Sequence, residues 1–527
     1  MRLAAILVVG FALRLAYLLH VALQPGFRWH DPDFYLRGGR QLAEGPHGWH
    51  WTFDAVTLWI GGRRHMLPPL YPVFLSLFAS FPYLPLTALL GQLALSVGAI
   101  FLVFDLGRRL HSHRTGLIAA GGFAVWALNI FNVWQTSQEA LYIPLVLLGF
   151  VLLAAALTST TRREWFLAGV VFGFAALTRS MPLFFLPLAA ALHVVISESR
   201  RRALQGAALL LAGLATPTVP YVVALSLHVG QFTPIDSHGS IHVTRSAAPD
   251  DRALSMTETL RALTATITAS PIEYLEDSAD RARSLLHLNG GRVLQIYVAA
   301  QNRATAMMWK VALHLAIDVL VVAVLVLAPF GVVLARDRRL SAFFVLWITV
   351  NAGIASVGGF GGARLRAPFE PMLIILASVV LAGGWRPLAS RRSLAFAAVA
   401  SLILAGVALE QVPRSLRAWP SYGIDWSSGR ESGRLRGAGG FNVLSAGGEV
   451  AFRLTRTFSR PGSGDARVTV VLPGRPPETF EIPERGSRQC RYPWPARDLV
   501  FVEVRADRVG TGDPVSLAVT TSRADAH

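Results

Sequence analysis

One cysteine, Cys490, and one lysine, Lys310, are all that 527 residues hold of those two types. A single thiol forbids an intrachain disulfide and excludes zinc sites built from several thiolates. Charge is scarce too. Asp, Glu, Lys and Arg together make 15% of the chain, where soluble domains carry about 25%. What fills the space is apolar: 53% of residues are hydrophobic and the mean hydropathy is +0.46. Much of this chain therefore has lipid as its solvent. The net charge of +17 comes from arginines, set in short clusters between apolar runs. That pattern follows the positive-inside rule rather than a groove tracking phosphates, so nucleic acid is not an expected partner.

A bilayer core of ~30 Å takes ~20 apolar residues in a helix. On that rule eleven spans are expected, near 3–24, 84–106, 115–133, 139–157, 164–178, 181–197, 203–227, 311–334, 340–358, 367–383 and 393–410. Arginines follow every even-numbered span: Arg108, Arg109 and Arg114; Arg162 and Arg163; Arg200 to Arg202; Arg336, Arg338 and Arg339; Arg386, Arg391 and Arg392. The N-terminus and those loops are then expected in the cytoplasm, and the odd-numbered exits outside it. Residues 1–24 read as a retained span, because Arg14 interrupts the apolar run and no small-residue cleavage site follows. Arg14 itself is an intramembrane cation, open to a functional role, to snorkelling or to pairing inside the bundle.

The first outer loop, about 28–66, carries Asp31, Asp33, four tryptophans and four histidines. The tryptophans suit interfacial anchoring, and the histidines show no metal-ligand spacing. The outer loop of about 228–310 contains "SMTE" and "SPIE", two capping-box signals that predict helices starting near Ser255 and Ser270. Apolar residues at helical spacing follow each, predicting two amphipathic helices on the membrane surface. Past residue 425 the texture changes to short β-rich runs such as "VAFRLTRTF" and "RVTVVLPG". They predict a small antiparallel sandwich. Before them, "SSGRESGRLRGAGG" reads as a flexible linker or an irregular first turn. The expected plan is an all-α polytopic module over 1–410, a linker over 411–424 and an extracytoplasmic β domain over 425–527.

Several segments, in order, resemble one family. "DPDFYLRGGRQLAEG" has an acid, Asp31, four residues before Tyr35, then a short helix ending in L-x-x-G. "LPPLYPVFLSLF" is similar to a PP-x-YP-x-FL segment, "SQEALYIPLVLL" to an acid-bearing helix start, and "LTRSMPLFFLP" to an L-T-R-P pattern with Ser180 in place of proline. "GQFTPIDSHGS" and "GGARLRAPFEPMLIILAS" complete the series. Together, over roughly the first 410 residues, they resemble the GT-C integral-membrane glycosyltransferases, among them bacterial relatives of protein O-mannosyltransferases and the lipid A aminoarabinose transferase.

The resemblance implies a multi-pass protein of the bacterial inner membrane. It implies transfer of a hexosyl or pentosyl group from a polyprenyl-phosphate donor to a lipid, glycan or protein hydroxyl on the extracytoplasmic face. Asp31 then becomes the expected general base, with Asp33 as its partner or a helix cap and Glu139 as a second carboxylate or a cap at the head of its helix. Arg179, Arg364 and Arg366 are the expected donor-phosphate cations, since a planar guanidinium suits a phosphodiester. Arg364 and Arg366 are equally open to pairing with an acid or a headgroup. Tyr35, His65 and Tyr71 are the expected substrate contacts. No metal ligands are assigned; a divalent cation on Asp31, Asp33 and Glu139 is left open. A transporter or flippase of lipid-linked glycans is the competing reading. It calls for internal repeats and broken helices at matching positions, and the sequence has no such repeat.

Overall fold

The computed structural model describes residues 2–22, 33–44, 49–60, 63–79, 81, 84–133, 137–159, 161–235, 256–286, 288, 307–357, 363–383, 390–410, 422–425, 432–444, 449–456, 465–472, 475–483, 486–493, 499–508 and 516–521. Two compact units divide the chain: 1–285 with 323–405, and 286–322 with 406–527.

The first unit is helical. Helix α1 (Arg2–Ala22) is followed by the short amphipathic α2 (Asp33–Ala43), a 3-10 turn (Phe53–Val56) and a hairpin of β1 (Thr57–Ile60) and β2 (Arg63–Met66). Next come α3 (Leu70–Ser76), α4 (Leu84–Leu110), α5 (His113–Ala124), α6 (Ala127–Phe131), α7 (Glu139–Thr158), α8 (Arg163–Ala176), α9 (Met181–Ile196) and α10 (Arg200–Val229). Then follow α11 (Met256–Ala269), α12 (Pro271–Leu285), α13 (Met307–Leu334), α14 (Arg338–Val357), a 3-10 turn (Ala363–Arg366), α15 (Glu370–Leu381) and α16 (Arg391–Glu410); residues 307–322 of α13 and 406–410 of α16 count with the second unit. Among the described residues seven helices are long and apolar enough to cross a membrane, and two shorter apolar ones, Met181–Ile196 and Glu370–Leu381, accompany them. The polytopic helical class is as expected.

Against the eleven expected spans stand these seven long and two shorter helices, and the span at 115–133 is broken. Residues 115–133 are not one helix: α5 stops at Ala124 and α6 begins at Ala127. The cause lies on α1. Arg14 is fully buried, and its guanidinium donates to the carbonyls of Ala124 at 2.8 Å and Phe123 at 3.3 Å. It also donates to Ser96 Oγ at 2.7 Å and Gly10 O at 3.1 Å. A helix end in an apolar medium must satisfy its last carbonyls. A cation at the C-terminus of α5 does so and complements the helix dipole. Of the readings open for Arg14, the structure shows pairing inside the bundle.

Helices α8 and α10 approach so closely that each needs glycine. A Cβ on Gly169 would lie 2.1 Å from Leu210 O, and one on Gly213 would lie 2.2 Å from Phe166 O. Small residues let backbones meet where burial of oily surface gives no net drive. Gly169→Ala is therefore expected to destabilise the protein by about 1–3 kcal/mol through overpacking. Gly121→Ala, where nothing lies within 4 Å of the added carbon, is the matched control. Thermal unfolding of the two variants in lipid nanodiscs checks the contrast.

The two expected surface helices are α11 and α12, and Pro271 opens the second as its signal required. The second docks through polar groups as well as its buried Leu285. Tyr274 OH donates to Val357 O and Arg281 Nε to Ser356 O, both at 2.6 Å, so α12 satisfies the last carbonyls of α14. Ile272 and Leu275 remain exposed.

The second unit carries the β-strands: β3 (Tyr422–Asp425), β4 (Ser432–Leu444), β5 (Glu449–Arg456), β6 (Ala466–Val471), β7 (Glu478–Ile482), β8 (Ser487–Pro493), β9 (Leu499–Arg508) and β10 (Ser516–Thr521). All pairings are antiparallel, in the order β7-β6-β9-β4-β10-β5-β8, with β3 also on β4. β7 and β8 stand at opposite ends of that path, yet Phe480, Ile482, Cys490 and Tyr492 enter one shared core. Arg488 also lies 4.1 Å over the Phe480 ring and 3.3 Å from Glu478. The sheet therefore folds over on itself as a sandwich. The glycine-rich stretch read as a linker or turn contributes to β4, whose first half pairs β10 (432–436) and second half pairs β9 (438–444). It is the strand that passes from one layer to the other, and its glycines at 437, 439 and 440 suit that bend.

Cys490 is buried in this core, and burial pushes its thiol up to about 11. An exposed cysteine titrates near ~8.5, and only the thiolate attacks an alkylating reagent. At pH 8.5 the native protein is expected to react with iodoacetamide on the order of 100-fold more slowly than the unfolded chain. The native rate should climb with pH until about 11. Mass spectrometry over a pH series reads this directly.

Candidate functional site

Four sequence segments meet near the head of α7. The first is α2. Its buried residues include Tyr35, Leu36 and Leu42, and it lies so close to the following 3-10 turn that a Cβ on Gly38 would sit 2.1 Å from Ala55 O. Tyr35, Leu36, Tyr71, Leu75, Ala88 and Leu141 form one apolar cluster joining α2, α3, α4 and α7. The Tyr35 ring stands edge-on to Tyr71, with centroids 5.0 Å apart. Tyr35 OH donates to Gln138 Oε1 at 3.2 Å.

The second segment is α3. Tyr71 is fully buried, and its hydroxyl donates to Gln92 Oε1, while Gln92 Nε2 donates to Val133 O at 3.1 Å. At its first residue, Leu70 N donates to Leu177 O at 3.0 Å, which ties α3 to the end of α8. The third segment is the start of α7. Glu139 is buried at 2% exposure; its carboxylate accepts from Ser137 Oγ at 2.7 Å and from Arg179 at 3.3 Å. The fourth is the chain leaving α8, which presents Arg179 with its side chain 15% exposed. A buried carboxylate with a hydroxyl and a guanidinium on it can stay charged, so Glu139 holds Arg179 in place as an oriented cation.

Of the residues singled out from sequence, the structure brings Tyr35, Tyr71, Glu139 and Arg179 into this region. His65 is buried in β2, opposite Leu58 in the hairpin. Asp31 lies outside the described residues, four positions before Tyr35 in sequence. Asp33 opens α2, and Arg364 sits in the 3-10 turn 363–366; the side chains of both lie outside the description. Arg366 takes the acid-pairing alternative rather than an open phosphate-binding position. It is 1% exposed, donates from Nε to Glu370 Oε1 at 2.8 Å and from a terminal nitrogen to Leu285 O at 2.8 Å. The second Glu370 oxygen accepts from Trp126 Nε1 at 2.6 Å. Glu370 escaped the sequence reading although the i, i+4 spacing in "RAPFE" announced the pair. Gln92 and Trp126 gave no signal of their own.

Among the described residues no three of His, Cys, Asp or Glu lie together as a metal-binding group. Glu139 is already engaged by Ser137 and Arg179, so the described residues offer no set that fits a divalent cation.

The motif resemblance is borne out over part of the chain. A family model described as dolichyl-phosphate-mannose-protein mannosyltransferase matches residues 67–225, the stretch that holds Tyr71, Glu139 and Arg179. No curated protein matches the chain. Among solved structures, archaeal oligosaccharyltransferase AglB from Archaeoglobus fulgidus, in complex with an inhibitory peptide and a dolichol-phosphate, aligns at TM-score 0.42 and 12% identity over 78% of this chain and 56% of its own. The Archaeoglobus fulgidus oligosaccharyltransferase in complex with Zn and sulfate aligns at 0.42 and 13% over 78% and 53%. Arabinosyltransferase EmbB from Mycobacterium smegmatis aligns at 0.29 and 10% over 99% and 65%. The chain spans about half the length of those oligosaccharyltransferase structures.

Proposed function

We propose that this protein is a membrane glycosyltransferase that moves a sugar from a polyprenyl-phosphate donor to an acceptor hydroxyl on the extracytoplasmic face of a bacterial inner membrane. The observation that carries the reading is the buried Glu139–Arg179 pair, lying inside the family-matched segment and next to Gln138, which holds Tyr35 of the first-loop helix. Residues 1–410 are the catalytic module, and 425–527 an extracytoplasmic accessory domain.

In the proposed reaction the acceptor oxygen attacks the anomeric carbon as the bond from that carbon to the phosphate oxygen breaks. The bonding electrons leave with polyprenyl phosphate, and the acceptor proton passes to the Asp31 carboxylate as general base. Arg179, oriented by Glu139, and Arg364 compensate the charge that grows on the leaving phosphate, where Arg geometry and a partly dehydrated site strengthen the pairing. Arg366 serves through Glu370 to hold the turn that carries Arg364. Tyr35, Tyr71 and His65 shape the substrate side, and Asp33 caps α2 beside the base.

The test is direct. Purified protein in nanodiscs is incubated with a panel of polyprenyl-phosphate hexoses and pentoses, with membrane lipids, glycans and peptides as acceptors. Transfer of one sugar mass, with release of polyprenyl phosphate in equal amount, is the expected result. Carrier lipids that bind yet yield no product with any acceptor would overturn the reading.

A further inference from the structure

Behind Glu139 the first unit holds a small, partly open cavity lined in part by Ser96, Asn129, Asn132, Glu139, Ala140 and Pro144. Its polar groups do not balance among themselves. Asn129 and Asn132 are 5% and 4% exposed, and the Nδ2 amide of each has no hydrogen-bond partner among the described residues. On the other wall, Pro144 lies inside α7 and has no N–H to give. The carbonyl four residues earlier, Ala140 O, therefore loses its helical donor, and Ala140 lines the same cavity. Two amide donors without partners among the described residues thus line one cavity with Ala140, whose carbonyl proline leaves without its helical donor. Buried polar groups left unpaired cost about 1–3 kcal/mol each, and a water needs two to four polar partners to be held.

We propose that this cavity is a buried water site, in which water accepts from Asn129 and Asn132 and donates to Ala140 O and to the Glu139 carboxylate. The site extends a polar path through the helix bundle. Ser96, on its wall, accepts from Arg14 Nε, and Glu139 accepts from Arg179. Water here solvates the buried carboxylate of α7, next to the serine that receives the α1 guanidinium, in an interior that penalises unpaired charge. The inference stands apart from the proposed enzyme activity, and its tests do not measure transfer.

Two measurements on the full chain in nanodiscs test it. In water-edited solid-state NMR with labelled asparagine side chains, the Asn129 and Asn132 amides should receive magnetisation from water. Asn351 is the internal control, because it is equally buried and its Nδ2 already donates to Trp347 O at 2.9 Å. Transfer to Asn129 and Asn132 but not Asn351 is the expected result; silence at all three overturns the site. Secondly, Asn129→Leu and Asn132→Leu should each lower the thermal midpoint, since each strips a partner from the bound water. In a dry cavity the same changes remove an unpaired donor, and the midpoint would rise or stay level, which refutes the proposal.

Discussion

Asp31→Asn is expected to lower sugar transfer by about 10²–10⁴-fold, the range a positioned general base supplies. Asparagine keeps the volume of the side chain and can still accept a hydrogen bond, but it cannot take up the acceptor proton. The interaction it removes is made only as that proton leaves, so the loss should fall on kcat and on kcat/KM alike, with KM for the donor little changed. Asp33→Asn separates the two acids of the loop. As a cap on α2 it should cost no more than ~1 kcal/mol of stability and only a small part of the activity. Glu139→Gln isolates a third role. It withdraws the charge that orients Arg179 at 3.3 Å, and Arg179 meets phosphate charge both in the bound donor and as the phosphate leaves, so this variant should raise KM for the donor as well as lower kcat. Single-turnover and steady-state assays on the three variants, with native mass spectrometry to confirm that carrier lipid still binds, distinguish these outcomes. Wild-type turnover by Asp31→Asn would move the base elsewhere.

The parts legible in the sequence were those written locally. Long apolar runs fixed most spans, and the capping signals located α11 and α12, because each depends on residues within a turn or two of one another. The hairpin of β1 and β2 was also locally written. "TLWIGGRRHM" sets two short runs around Gly-Gly, a strong hairpin signal overlooked beside the tryptophans and histidines. The break at Trp126 was not legible, since the group that ends α5 is Arg14, 110 residues away. β4 failed for a related reason. Its composition argues for a loop, and it is a strand because β3, β9 and β10 pair with it; strand preference follows tertiary setting more than intrinsic propensity. In the candidate site, the motifs named Tyr35, Tyr71, Glu139 and Arg179, but nothing in them showed that Tyr35 bonds Gln138, which adjoins Glu139 in the chain. Arg366 is a local case: pairing with an acid stood equally open beside phosphate binding, and the partner, Glu370, lies four residues on at helical spacing.

That buried pair supports the largest expected effect on stability. Glu370→Ala leaves the Arg366 guanidinium, 1% exposed, without its carboxylate, and removal of one partner of a buried ion pair costs about 3–5 kcal/mol. The Trp126 indole N–H loses its acceptor as well, so Trp126→Phe in the same background should recover part of the loss, and a double-mutant cycle gives the coupling. Replacing both charges, Arg366→Met with Glu370→Leu, should recover much of the loss, since an apolar pair removes the uncompensated charge, but not all of it, because the Trp126 N–H and Leu285 O then lack partners. Activity is expected to part from stability at that point. Arg366 also donates to Leu285 O at the end of α12 and closes the turn that bears Arg364. The double variant keeps the fold but no longer fixes that turn, so it should be more stable than Glu370→Ala and yet transfer sugar no faster. Equal recovery of both would mean that the pair serves packing alone.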